Sequence, residues 1–286
     1  MTDKPAIAID SASVLIIRDG DAHARYGTLQ ILMVKRHPDM RFAGGAYVFP
    51  GGKLDPADRA LEEDDQKNAC PNISSEINQD VSPNIRPDIS PEFSGLRYAA
   101  LREVFEETGL IIGTHNGQAI GEAQRKAIDK TYRSSVLDGS ISLAQFLQKT
   151  GVTLDMKDCF PFAHWITPKN YSMRFDTRFF LCAAPDGQMP SPDGHEITDV
   201  EWMYPMALVE ESDGLLMFPT MMNLKQLGQA RSVSEAIKSL KNKKITTVTP
   251  EVVKGEKTRF RKIPETAGYD DVDQSRTRAA HDREKG

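Results

Sequence analysis

Three glutamates in the run Arg102-Glu103-Val104-Phe105-Glu106-Glu107 are spaced to act on one ligand. Residues three and four apart on an α-helix share a face, so Glu103, Glu106 and Glu107 gather within about a third of the circumference. Like charges that close repel by up to about 1 kcal/mol per pair even in a water-like dielectric. Arg102 offsets part of the repulsion. A divalent cation offsets it better, because carboxylate oxygens are natural ligands of hard Mg²⁺ or Mn²⁺. A Glu-rich helix taken alone is more often a solvated acidic face, so its surroundings must decide.

The elements that would position these side chains are legible on either side. The glutamate helix is expected to start at Ser94 as N-cap and run to Thr108, with Gly109 as its left-handed stop. Tyr98, Leu101 and Phe105 leave the opposite side and are expected to anchor the helix to a sheet. Before it, residues 12–18, 29–36 and 47–49 read as strands. After it, helices are expected near 121–130 and 143–149, strands at 163–166, 177–183 and 199–203, and closing helices at 220–230 and 234–240. This order indicates α/β or α+β, with a mixed sheet sandwiched between helices. The domain is placed at 10–245. An acidic, Asn- and Ser-rich stretch at 56–93 reads as a surface insertion, and 255–286, charged and poor in large apolar residues, as a disordered tail.

Composition narrows the classes. A chain of 286 residues with formal net charge −5 carries no basic stripe, which argues against nucleic acid or a membrane surface as partner. No apolar run approaches the roughly 20 residues of a membrane span, and residues 1–10 lack the pattern of a secretory signal. Cys70, Cys159 and Cys182, odd in number and far apart, read as reduced thiols of a cytoplasmic protein. The six histidines are scattered, so zinc is not expected.

The segment Arg102-Glu103-Val104-Phe105-Glu106-Glu107-Thr108-Gly109-Leu110 resembles, position for position, the second half of the Nudix box, and Phe49-Pro50-Gly51-Gly52 resembles the lead-in to its first half. Two departures stand out. The position normally held by Glu is Asp58, and the short spacer before the Arg has become 43 residues, Arg59 to Leu101. The resemblance implies the Nudix fold, Mg²⁺ or Mn²⁺ held by Glu103, Glu106 and Glu107, and a tight turn at Gly51 and Gly52 beside metal and phosphate. It also implies hydrolysis of a nucleoside diphosphate linked to another group. Family members often add a carboxylate, as ligand or base, from a loop before the last strand. Glu196 suits that role, with Glu201 as rival and His195 as a neighbour able to touch substrate.

Arg36, Arg41, Gly45 and Phe49 keep the spacing of the coenzyme A diphosphatase signature, although Met33, Val34 and His37 depart from it. Two guanidinium groups there could recognise diphosphate oxygens or the 3′-phosphate of coenzyme A. The segments 164–168 and 174–181 also resemble the peroxisomal subgroup, which likewise carries an insertion inside its box. The resemblance therefore implies a small-molecule substrate, coenzyme A or acyl-CoA, cleaved to 3′,5′-ADP and (acyl-)phosphopantetheine, and leaves room for a homodimer. Within the enzyme class, ADP-ribose or a dinucleotide is the alternative substrate. Outside it stands a non-catalytic nucleotide sensor, disfavoured because sensing does not need all three glutamates.

Overall fold

The computed structural model describes residues 5–40, 43–61, 95–212, 216–241, 243–254, 259–264 and 267–269. Its centre is an eight-stranded mixed sheet. Strand β1 (Ile9–His23) lies in the middle, antiparallel to β2 (Gly27–Arg36) and to the short β4 (Gly51–Lys53). On its other side it runs parallel to β9 (Phe175–Ala183). Strand β10 (Ile197–Met203) pairs with β2 at one edge. Beyond β9 come β8 (Phe160–Ile166) and β11 (Thr247–Val248), while β3 (Tyr47–Val48) pairs with β2.

The run Val14-Leu15-Ile16-Ile17 contains no polar residue because both faces of β1 are buried. Side chains alternate across a strand. Val14 and Ile16 thus meet Ala99, Ala100, Leu101 and Val104 of helix α2 (Leu96–Thr108), following the one-turn helix α1 at 56–61. Leu15 and Ile17 meet the opposite layer: α5 (Pro205–Glu211), α6 (Phe218–Leu227) and α7 (Val233–Ser239). The sheet is sandwiched between helices, as expected.

Three findings differ from the sequence reading. Tyr98 and Phe105 do not face the sheet. They pack outward against Ile128 and Val136 of α3 (Glu122–Leu137) and Phe146 of α4 (Leu143–Thr150), leaving Leu101 on the sheet side. Ser94 lies outside the described residues, and the residue before α2 is Gly95, with φ 87° and no side-chain cap. The assigned tail contains structure: β12 (Glu251–Lys254) pairs with β13 (Arg259–Lys262), and Ile263 and Tyr269 are buried in the core. The Tyr269 hydroxyl donates to Asn223 Oδ1 at 2.7 Å and receives the Trp165 indole N–H at 3.1 Å. One anchoring tyrosine in a charged segment leaves no periodic signal. A small sheet of β5 (Gly113–His115), β6 (Gln118–Ala119) and β7 (Val152–Leu154) is too short to be read from pattern. Cys70 lies outside the described residues, and Cys159 and Cys182 are buried free thiols. Among the described residues no helix is long and apolar enough to cross a membrane.

Candidate active site

Helix α2 is fixed at both ends, and this fixes where its glutamates point. Gly109, at φ 67°, ends it with an N–H to Phe105 O bond of 2.9 Å. The last turn of a helix leaves carbonyls without partners. Arg133 of α3 donates through Nε to Glu106 O at 2.9 Å, Arg125 through Nη1 to Gly109 O at 3.2 Å, and Ser191 N to Thr108 O at 2.9 Å. Two cations at the negative end of the helix dipole are favourably placed. At the other end, a Cβ on Gly95 would stand 2.6 Å from Arg59 Cα, so the chain returns from the insertion at the point where it left.

The acidic face of α2 looks onto the Pro50-Gly51-Gly52 turn. Gly51 N–H donates to Glu107 Oε2 at 2.9 Å. A side chain at Gly51 would stand 2.6 Å from Ser13 Cα in β1, and one at Gly52 would strike the Glu103 carboxylate. Both positions need glycine because backbone and carboxylate approach there closely.

Arg102 ties the group together. Its Nη1 donates to Glu103 Oε1 at 3.0 Å and Glu106 Oε2 at 2.9 Å, its Nη2 to Lys53 O at 2.9 Å and Asp58 Oδ2 at 3.0 Å, and its Nε to Asp58 Oδ1 at 3.1 Å. Asp58 is fully buried. The shorter carboxylate thus reaches Arg102 across the insertion, and α1 supplies the reach by holding Asp58 against Asp55 N at 3.0 Å.

Burial pushes all three helix carboxyls up. Glu106 rises to about 7, with the charge of Glu103 adding to burial, and Glu107 rises well above the ordinary range although Gly51 N–H and Arg36 oppose it. Glu103 rises too, opposed by Arg102. Burial works against the charge on Arg102, but Glu103, Asp58 and Glu106 outweigh it and hold the guanidinium protonated.

Arg36, at the end of β2, faces this cluster from the sheet. Its Nη1 is 4.0 Å from Glu107 Oε1 and its Nη2 is 3.6 Å from Glu196 Oε2. Its Nε is buried without a hydrogen-bond partner. Glu196 is half exposed at the start of β10, where its carbonyl accepts His37 N–H at 2.7 Å. A register shift between Ile197 and Asp199 interrupts the β10–β2 ladder there, as bulges beside functional sites often do. Glu201 pairs with Met33, whose side chain lies in the α5–α7 layer, and takes the Tyr47 hydroxyl at 3.0 Å. It therefore faces away from α2. His195 is exposed, and Arg41 lies outside the described residues.

Sequence reasoning missed Asp193. Its Oδ1 accepts the backbone N–H groups of His195, Glu196 and Ile197, the last two at 2.8 and 3.2 Å, and so shapes the loop that presents Glu196. Ser191-Pro192-Asp193-Gly194 is a turn signal, but the role of its carboxylate is visible only once folded.

Among the described residues, the cations paired with Asp58, Glu103, Glu106, Glu107 and Glu196 are Arg36 and Arg102. The oxygen donors and surplus negative charge fit a hard divalent cation. Among the described residues no three such groups converge into a ready metal cage. Arg102 Nη1 sits between Glu103 and Glu106, while Glu107 is drawn to Gly51.

Residues 9–219 match the family profile described as NUDT19 Nudix domain. The human acyl-coenzyme A diphosphatase NUDT19 is 24% identical over 208 residues, covering 63% of this chain and 55% of that protein, and the Xenopus laevis protein of the same name is 24% identical over 209 residues, covering 64% and 54%. The chain thus spans about half the length of these relatives. The crystal structure of a NUDIX hydrolase from Alicyclobacillus acidocaldarius superposes with TM-score 0.65 at 24% identity, over 84% of this chain and 99% of that one. With the box reassembled around Arg102 and the profile spanning most of the chain, this protein belongs to the Nudix hydrolase family, in the NUDT19 Nudix domain group.

Proposed function

We propose that the chain is a divalent-metal-dependent pyrophosphohydrolase acting on a nucleoside diphosphate joined to a second group, with coenzyme A or acyl-CoA as substrate and 3′,5′-ADP and (acyl-)phosphopantetheine as products. One observation carries the reading: the guanidinium of Arg36, whose buried Nε has no hydrogen-bond partner, stands beside the surplus of carboxylates on α2. A cation with donors to spare next to acidic oxygens suits a ligand that is an anion and travels with a metal.

Glu103, Glu106 and Glu107 would hold Mg²⁺ or Mn²⁺, which when bound supplies charge neutralisation and Lewis acidity at the diphosphate. Arg36 orients a phosphate oxygen. Arg102 and Asp58 hold Glu103 and Glu106 in place, and Gly52 lets the Glu103 carboxylate approach the turn. Glu196, beside Arg36, would take a proton from the attacking water. As its oxygen adds to phosphorus, the bridging P–O bond breaks and the second phosphate leaves. The acyl-coenzyme A diphosphatase activity for which the NUDT19 relatives are named supports the substrate class.

The test is a screen of coenzyme A, acetyl-CoA, ADP-ribose and NADH with Mg²⁺ or Mn²⁺, read by mass spectrometry of products. Cleavage of the coenzyme A compounds is expected. Inert coenzyme A beside cleaved ADP-ribose would overturn the substrate, and no cleavage of any diphosphate would overturn the reaction.

A further inference from the structure

Four large apolar side chains stand exposed among the described residues, and three of them share one end of the sheet: Ile7, Ile9 and Met173. Their grouping follows from the strand register. Ile9 pairs with Phe175 in the parallel β1–β9 ladder, and Ile7 and Met173 each stand two residues before that pair. Arg174 fixes the two segments, reaching Ala6 O at 2.5 Å while Ile9 N donates to Arg174 O at 2.9 Å.

This apolar end opens on a cleft of about 380 Å³ lined by Ile9, Leu54, Pro56 and Ala60, with Asp10 and Arg59 as its polar members. The volume lies within the roughly 300–1,000 Å³ of small-molecule sites. Arg59 is already paired with Asp10 at 3.1 Å, so the cleft offers no spare cation to a second phosphate. Its chemistry suits an uncharged apolar chain.

The cleft lies beside the candidate active site along the chain. Leu54 is two residues beyond Gly52, which lies under Glu103, and it is held by Leu54 N to Asp10 O at 2.9 Å. Lys53, between them, gives its carbonyl to Arg102. Strand residues advance about 3.3 Å each, so the cleft begins within reach of the flexible arm that separates diphosphate from thioester in an acyl-CoA. We propose that the cleft bounded by Ile9, Leu54, Pro56 and Ala60 binds the acyl chain of the substrate, with the exposed Ile7 and Met173 extending the apolar surface beside Ile9. This rests on the acyl-CoA reading above and assigns its tail a place.

The test compares binding of dodecanoyl-CoA and coenzyme A by calorimetry in EDTA, so that no turnover is needed, and then their kcat/KM ratio with Mg²⁺. The wild-type chain should bind the dodecanoyl compound at least ~10-fold more tightly, since each buried methylene adds favourable transfer free energy. In the double variant Ile9→Lys/Met173→Lys, and separately in Ala60→Trp, which fills the cleft, that preference should fall to about one. All three positions are exposed, so these changes spare the core. Equal affinity in the wild-type chain, or a preference unchanged in both variants, overturns the inference. Preferential binding that the variants abolish, without cleavage under any metal, would sustain the acyl site and remove the hydrolase reading instead.

Discussion

Asp58 and Arg102 stand 44 positions apart in sequence, yet the buried Asp58 carboxylate takes Arg102 Nη2 at 3.0 Å and Nε at 3.1 Å. The contact closes the box across its own insertion. Arg102 in turn holds Glu103 and Glu106, so Asp58 acts on both through it. Removing one partner of a buried pair leaves the other charge uncompensated, which costs about 3–5 kcal/mol. Asp58→Ala should lower the free energy of urea unfolding by that order and weaken turnover, while Asp58→Glu should retain more of both. A variant Asp58→Ala as stable as the parent would show that Arg102 does not depend on this carboxylate.

The helix glutamates present the opposite trade. Buried among like charges, they destabilise the metal-free fold they serve. Glu106→Gln should raise the melting temperature in EDTA while lowering kcat on the order of 10²–10³-fold, the scale of losing one preorganised electrostatic group. A variant less stable than the parent in EDTA, or one of near-normal rate, counts against the role of Glu106.

The raised carboxyl of Glu106 also sets a pH dependence whose sign can be worked out. Its folded value, about 7, lies above its ordinary value of 4.5, so the folded state binds the proton more tightly than the unfolded chain does. The resulting stability is fully present below about 4.5 and is lost as pH rises through about 7. Burial and neighbouring charge push Glu107 and Glu103 the same way. In EDTA the melting temperature should therefore fall as pH rises from about 4.5 to about 7, and Mg²⁺ or Mn²⁺ should remove much of that fall by binding only the folded state. A profile flat in EDTA, or unchanged by either metal, would contradict the assignment.

Because Gly95 meets Arg59 at backbone contact distance, residues 62–94 can be replaced by a short Gly-Ser linker without separating Asp58 from Arg102. Loop closure varies slowly with length, so the shortened chain should keep a single cooperative thermal transition within a few degrees of the parent. Loss of that transition would mean that the two halves of the box depend on the insertion to meet.

Legibility followed periodicity. The unbroken run Val14-Leu15-Ile16-Ile17 and the stop at Gly109 announced a doubly buried strand and a helix end, because each leaves a local mark. The glutamates were legible as a helix face. Contacts between distant positions were not. Nothing in the sequence alone says that Asp58 survives as the partner of Arg102, that Glu201 turns to the far side of the sheet, or that Tyr269 returns to the core. Each depends on which face of an element packing selects, and on side chains that meet only after topology is set.

Asp193 provides the last test, since it acts on the chemistry only through Glu196. Its Oδ1 accepts three successive N–H groups, including that of Glu196 at 2.8 Å, and thereby fixes where β10 begins. Asp193→Ala frees those donors to water and lets Glu196 drift from its 3.6 Å approach to Arg36. Misplacing a group by about 1 Å can cost on the order of 10²-fold in rate. The expected signature is a fall in kcat with KM little changed, and an altered alkaline or acid limb of the pH–rate profile. Asn keeps the accepting oxygen, so Asp193→Asn should recover most of the lost rate. If Ala and Asn behave alike, or if KM alone changes, Asp193 is holding the loop for substrate binding and not for Glu196.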